Sequence, residues 1–496
     1  MSAPTDPRRA EAFRFLGCDY AADSGTALLR YAFDDGAELI ETIVFPQAPA
    51  PALAPAREAA FAAALRLLHL IAGISYYKAG VPSQIRVENG ALDTATAEFL
   101  REVYLHGLGE FAYQNKLDLR GRIRFPANLS AAATSLPPLQ GEGGGGDGVL
   151  DAPHSGHPIP TQTLPLKGRA SERNAVASSQ VSLNLPRRTL LPIGGGKDSL
   201  VSVELLKGIH EPATAVWVGD SELIAACAQR TGLPTLNIKR RLAPQLFEYN
   251  RLGAWNGHIP VTAINSTILV CAAILYGYDA IAFSNEFSAS SATLEYDGQL
   301  INHQWSKSLD FERRLREYTK SHIASDLDYF SLLRPWSELA VARAFARTQR
   351  YDDVFSSCNR NFRILGEKPA DRWCGQCPKC HFVFLALAPF MPKPRLLGIF
   401  GRNLLDDSAL APGFDALLEY REHKPFECVG EGRESRAAMQ ALTKRAEWRE
   451  DALVARFVRE ILPQLDAREL ALEPLLAPAS EHFLPPRLAH LPLAQL

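Results

Sequence analysis

Between residues 187 and 283 the apolar and polar positions follow two rhythms that take turns along the chain. Short apolar runs at Thr189 to Ile193, Ala213 to Val218, Thr235 to Ile238 and Ala280 to Phe283 have the length of buried strands. Between them, Leu200 to Lys207, Glu222 to Arg230 and Ala263 to Tyr276 space their apolar side chains at helical intervals. Strand followed by helix, repeated, predicts an α/β fold built on a doubly wound parallel sheet, with ligands at the carboxyl ends of its strands. Upstream, Ala27 to Phe33 and Glu38 to Phe45 predict two strands turning at Asp34-Asp35-Gly36, and Glu58 to Ala72 a helix. Past Pro392 the pattern is mostly helical, with Ala437 to Leu462 rich in Ala, Glu, Arg and Leu.

These rhythms divide the 496 residues into an α+β N-terminal domain (1–130), a linker (131–180), the β/α domain (181–395) and a helical region (396–496). The linker carries Gly-Glu-Gly-Gly-Gly-Gly-Asp-Gly (141–148) among prolines and serines, without periodic apolar positions. Such a segment cannot bury enough apolar surface to offset the entropy of ordering, and a flexible insert is expected. Its His154 and His157 lack a structured frame and read as ordinary linker residues.

Charge and hydropathy narrow the partners. A net charge of −2 without a basic block argues against a nucleic-acid partner. The apolar run Phe382 to Met391 is too short for a bilayer and contains Pro389. The N-terminus, MSAPTDPRRAEAF, has no apolar stretch that would serve as a secretory signal, so a cytoplasmic protein without membrane contact is expected.

The chemistry starts at Gly194-Gly195-Gly196-Lys197-Asp198-Ser199, between a predicted strand and a predicted helix. Glycines let the backbone turn tightly and bring its N–H groups against an anion, and the helix start adds free N–H groups and partial positive charge. Ser199 can donate to a phosphate oxygen, and Lys197 can add charge. Asp198 beside a polyanion calls for a cation between them, which points to Mg2+. The spacing is not that of a Walker loop. It resembles the Ser-Gly-Gly-x-Asp-Ser loop of the ATP-pyrophosphatase (PP-loop) superfamily, with Gly194 in place of the first serine, and so implies ATP cleaved to AMP and pyrophosphate.

Cys374, Cys377 and Cys380 fall within seven residues, and Cys358 lies 16 positions before Cys374. Four thiolates so spaced suit a tetrahedral, structural Zn2+. The arrangement is similar to that of seven-cyano-deazaguanine synthases, which adenylate a carboxylate. Two polar runs follow strand-like segments: Ser284 to Ser291 directly after Ala280 to Phe283, and Asn302 to Ser308 before a helix over Leu309 to Lys320. The first stands where a ligand is expected.

Taken with Pro192 to Ser199, these runs, Gly257 to Ser266, Phe330 to Pro335, and Ser357 to Phe362 ahead of Trp373 to Cys377, resemble one family over nearly the whole chain: the UDP-N-acetylmuramoyl-L-alanyl-L-glutamate epimerases of bacterial peptidoglycan synthesis. The resemblance implies ATP- and Mg2+-dependent inversion of the terminal L-glutamate of a UDP-linked muramoyl dipeptide. An α-proton beside a carboxylate is weakly acidic, and adenylation would remove the charge that opposes its loss. Asn265 and Ser266, at a helix start, are expected to complete the nucleotide pocket, and Val216 to Gly219 to meet adenine. For proton transfer the candidates are His303, Lys307 and Glu286, whose pKa values burial can move toward neutrality. Arg334, Arg360 and Lys379 are candidates for substrate phosphate or carboxylate. A competing expectation is an ATP-dependent transferase that adenylates a nucleobase or tRNA for sulfur or nitrogen insertion. A third is a nucleotide sensor that binds ATP without releasing AMP.

Overall fold

A computed structural model of the chain describes residues 6–46, 54–127, 181–363, 367–421, 423–488 and 491. The expected insert at 131–180, with His154 and His157, lies outside the described residues. Among the described residues eleven strands occur in chain order: β1 (Ala12–Ala21), β2 (Thr26–Phe33), β3 (Leu39–Val44), β4 (Gln84–Val87), β5 (Thr189–Pro192), β6 (Ala213–Val218), β7 (Thr235–Arg241), β8 (Ala280–Phe283), β9 (Leu294–Tyr296), β10 (Gln299–Ile301) and β11 (Asp328–Ser331). Nine of them form one sheet in the order β11-β8-β5-β6-β7-β3-β2-β1-β4, and β9 pairs with β10 in a hairpin.

The strands from β11 to β7 in that order run parallel, as the alternating pattern requires. The sheet as a whole is mixed, which corrects the expectation of a parallel one. β3 joins β7 antiparallel through Thr42 to Val44, and β2 and β1 continue outward antiparallel. The edge of β7 is thereby covered and its backbone groups are paired. At the seam, Arg240 donates to the buried Glu41 carboxylate at 2.7 Å and to Ser75 Oγ at 3.0 Å. The pairing also explains why β7 continues to Arg241, three residues past the apolar run that predicts it.

Successive side chains of the parallel strands enter two apolar layers. Leu190, Ile281 and Phe283 face one layer with the helices Pro55–Ala72 and Val261–Tyr276, while Leu191, Ala280 and Ala282 face the other. Burial on both faces makes these strands read as continuous apolar runs. Each leucine or isoleucine so buried contributes about 1.5–3 kcal/mol. The stretch Pro55–Gly80 is long and apolar enough to cross a membrane, and 78% of its apolar window is buried inside the protein.

The second layer holds the helices Lys197–Gly208, Glu338–Ala346, Pro378–Leu387 and Gly432–Thr443. The helical pattern over Ala437 to Leu462 is interrupted after Thr443 by turns that bury Trp448 edge-on against Phe384. Helical structure then resumes at Ala452–Arg456.

Candidate active site

β5 is the strand from which the chain departs in both directions, toward β6 and β7 on one side and β8 and β11 on the other. Crevices form where neighbouring loops diverge in this way. A cleft of about 320 Å3 opens here, lined by Gly194, Gly196, Asp198 and Ser199 after β5. Val216, Trp217 and Val218 of β6, Ser284 and Asn285 after β8, and Asn265 complete much of the wall. Gly195 needs its glycine because its φ is +81°, and Ser356 N donates to its carbonyl at 2.9 Å. At Gly196 the segment carrying Ser357 comes so close that a Cβ would lie 2.6 Å from Ser357 Oγ.

Asn265 lines the cleft as expected. Ser266 turns into the protein, where its hydroxyl donates to the Thr262 carbonyl at 2.7 Å and meets Tyr329 Oη at 2.9 Å. One residue rotates a side chain by about 100° around a helix, which here turns Ser266 away from the wall that Asn265 lines. Lys197, expected to offer charge to phosphates, is instead buried beneath the loop and ion-paired with Asp198 and Glu338. Arg334 is likewise withdrawn from substrate. Buried completely, it binds Glu312 at 2.9 Å and donates to the carbonyls of Glu286 and Lys307 at 2.8 and 2.6 Å. It ties together the two polar runs found in the sequence.

Carboxylate oxygens of Asp198, Glu286 and Glu338 all lie within 4.8 Å of one another, a set able to hold a divalent cation. Burial lifts Glu338 to about 7, against the pull of Lys197 and with the help of Asp198 and Glu286. Burial and the Asp198 charge raise Glu286, whereas Asp198, though buried, is held below its ordinary value by Lys197 and Lys379.

A raised acid binds a proton in the folded state that the unfolded chain has already lost. The contribution of Glu338 to stability therefore falls as pH rises from about 4.5 to about 7. Glu338→Gln is thus expected to gain thermal stability relative to the parent between pH 5 and pH 8, measured by scanning calorimetry without divalent cation. A difference that stays constant from pH 5 to pH 8 would show that the carboxylate is ionised throughout.

Lys307 Nζ donates to Cys428 Sγ at 3.2 Å, and both residues line the cavity. Lys379, also in the lining, donates to the Cys428 carbonyl and stands 4.0 Å from Glu338. His303 sits behind, its Nδ1 paired with Glu110. Burial opposes its charge, but Cys428 and Glu110 carry His303 up to about 9. His258, with its ring centroid 4.2 Å away, is pushed down to about 3 by burial and by the charges of His303 and Lys307. Cys428, Glu338 and Glu110 carry no signal in the sequence: each stands alone in its stretch of chain, and only folding brings Cys428 into the cleft lining, Glu338 to Lys197 and Glu110 to His303.

The four predicted thiols converge. Cys358, Cys374, Cys377 and Cys380 have sulfurs within 4.8 Å of one another, with 3.7 Å from Cys374 to Cys380 and 3.5 Å from Cys377 to Cys380. Zinc–sulfur bonds of about 2.3 Å in a tetrahedron space sulfurs about 3.8 Å apart, so this donor set fits the ion. Cys358 follows Ser356 and Ser357 on the cleft wall, and Cys377 precedes the helix that carries Lys379.

Two family models match the chain: the MurL N-terminal domain over residues 4–151 and 161–332, and the MurL C-terminal domain over 354–471. A UDP-N-acetyl-alpha-D-muramoyl-L-alanyl-L-glutamate epimerase of Xanthomonas oryzae pv. oryzae is 54% identical over 97% of both chains. The chain belongs to this epimerase family. A Salinispora tropica protein with the same name is 39% identical over 97% of this chain and 95% of its own. A third, from a Micromonospora species, is 38% identical over 97% of each. As a member of the epimerase family the chain is an enzyme of the isomerase type. Its cleft draws on both family domains: the glycine loop and Lys307 lie in the first, with Glu110 and His303 behind them, and Lys379 and Cys428 in the second, with the four clustered cysteines.

Proposed function

We propose that the chain inverts the terminal L-glutamate of UDP-N-acetylmuramoyl-L-alanyl-L-glutamate to the D-form, at the expense of ATP cleaved to AMP and pyrophosphate. The observation that carries this reading is the Gly194–Ser199 loop, which opens at the carboxyl end of β5 beside three converging carboxylates. The parallel half of the sheet, read as a doubly wound unit of the PP-loop type, accounts for that placement. The activity is cytoplasmic, where nucleotide-linked precursors and ATP are available, and the ligand is this small molecule rather than nucleic acid or membrane.

In this reading the backbone N–H groups of Gly194, Gly195 and Gly196 and the hydroxyl of Ser199 cradle phosphates at the start of the helix. Asp198, Glu286 and Glu338 would hold Mg2+, which would supply charge neutralisation at the phosphates. Trp217 and Val218 flank the adenine, and Asn265 adds a polar contact. Lys307, in the cleft lining, and His303 behind it serve proton transfer at Cα. Zn2+ on Cys358, Cys374, Cys377 and Cys380 is structural and fixes the wall carrying Ser356, Ser357 and Lys379.

The test is to incubate the protein with ATP, Mg2+ and the UDP-linked L,L-substrate in heavy water. AMP, pyrophosphate and the D-glutamyl product are expected together, with solvent deuterium at Cα. Inversion without ATP, or without deuterium incorporation, overturns the mechanism.

A further inference from the structure

Cys428 occupies an arrangement that proton transfer alone does not explain. Its sulfur accepts from Lys307 Nζ at 3.2 Å, and His303 stands near enough to pull the thiol downward. Nδ1 of that ring is paired with the half-buried Glu110. Lys379 fixes the Cys428 backbone through its carbonyl. An ammonium on the sulfur and a carboxylate-oriented imidazole nearby are the parts of an activated nucleophile, because both cations favour the thiolate. The cysteine lines the same cleft as the glycine loop, Asp198 and Ser199.

We propose that Cys428 is a covalent nucleophile, which takes the activated glutamyl group from AMP as a thioester before the stereocentre is inverted. This rests on the adenylation reading given above. The Cys428 thiolate attacks the acyl carbon, a C–S bond forms, and the C–O bond to AMP breaks with its electron pair leaving on the phosphate. A base removes the α-proton from the thioester, and an acid returns a proton to the opposite face. Water then attacks the carbonyl, the C–S bond breaks, and Cys428 leaves as thiolate while the D-glutamate carboxylate is released. One ATP and one water yield AMP and pyrophosphate, and no oxidant or reductant is needed.

Two physical arguments favour a nucleophile over a base. Sulfur donates less electron density into a carbonyl than oxygen does, so a thioester stabilises the α-carbanion well. A thiolate whose charge is already satisfied by an ammonium and an imidazolium is a weak base, yet thiolate nucleophilicity falls only shallowly with basicity. Burial raises the Cys428 thiol, but Lys307, His303 and Lys379 together hold it well below its ordinary value. Glu427, the other titratable neighbour, is itself lifted to about 7, chiefly by burial. Acylation removes the negative charge that keeps protons on Lys307 and His303. Both then release a proton more readily, so forming the thioester also frees the base that inversion requires.

The experiment uses the full chain with ATP, Mg2+ and the UDP-linked L,L-substrate, quenched in acid within one turnover and examined by peptide mass spectrometry. The expected result is an adduct of substrate minus water on the peptide containing Cys428, discharged by hydroxylamine. Cys428→Ala is expected to retain ATP–pyrophosphate exchange while inversion and α-deuterium incorporation fall on the order of 10³-fold. Inversion in Cys428→Ala within tenfold of the parent overturns the proposal, as does absence of the adduct in the parent while exchange proceeds. Absence of exchange in the parent overturns the adenylation reading itself. Iodoacetamide supplies a check that does not depend on that variant folding. Cys428 of the parent is expected to alkylate as fast at pH 6 as at pH 8, and a rate that rises tenfold per pH unit across that range counts against the proposal.

Discussion

Asp198→Asn is expected to lower AMP formation by about 10³-fold while the melting midpoint stays within a few degrees of the parent. Of the three converging carboxylates, Asp198 alone lines the cleft, at the first turn of the helix that follows the glycine loop. Asparagine keeps its size and removes its charge. Lys197 retains the ion pair with Glu338, so the buried cation beneath the loop is not stranded. Charge effects in a site shielded from water are several times those in bulk solvent, and a missing carboxylate would weaken both cation binding and phosphate neutralisation. AMP release and calorimetry on the same preparation check the prediction. Activity within tenfold of the parent would move the cation to other ligands.

Cys377→Ser is expected to lose one equivalent of bound zinc, several kcal/mol of stability and most of the turnover. A structural metal site contributes its binding free energy to folding, because the unfolded chain has no preformed cage. Here the cage also shapes the cleft: Cys358 anchors the segment that closes on Gly196, and Cys377 starts the helix bearing Lys379. Metal analysis, urea unfolding and AMP release would be measured together. A zinc-free variant of parental stability and activity would reduce the four sulfurs to ordinary packing.

The parts of this site that were legible in the sequence are those whose chemistry is local. Three glycines and an Asp-Ser at a helix start mark the cleft-lining loop within six residues, and two-residue spacing brings three of the thiols together. Strands β6 and β8 fall where the apolar runs begin and end. Contacts over long separations were not legible. Glu338 reaches Lys197 across 141 positions and turns it away from the phosphates. Arg334, which reads as a ligand for anions, is consumed by Glu312 and by two backbone carbonyls. The antiparallel strands at the outer edge of β7 read as a separate small domain, because nothing in Thr42 to Val44 names its partner.

That β3–β7 pairing has a consequence for how the molecule holds together. The strands on its two sides come from chain segments separated by residues 128–180, and Glu110 crosses the same divide to orient His303. Melting the first segment would strip the edge of β7 and disarm the imidazole at once. The enzyme therefore has no accessory half: loss of cooperativity at the seam and loss of catalysis are one event, and the cleft senses the integrity of the whole sheet.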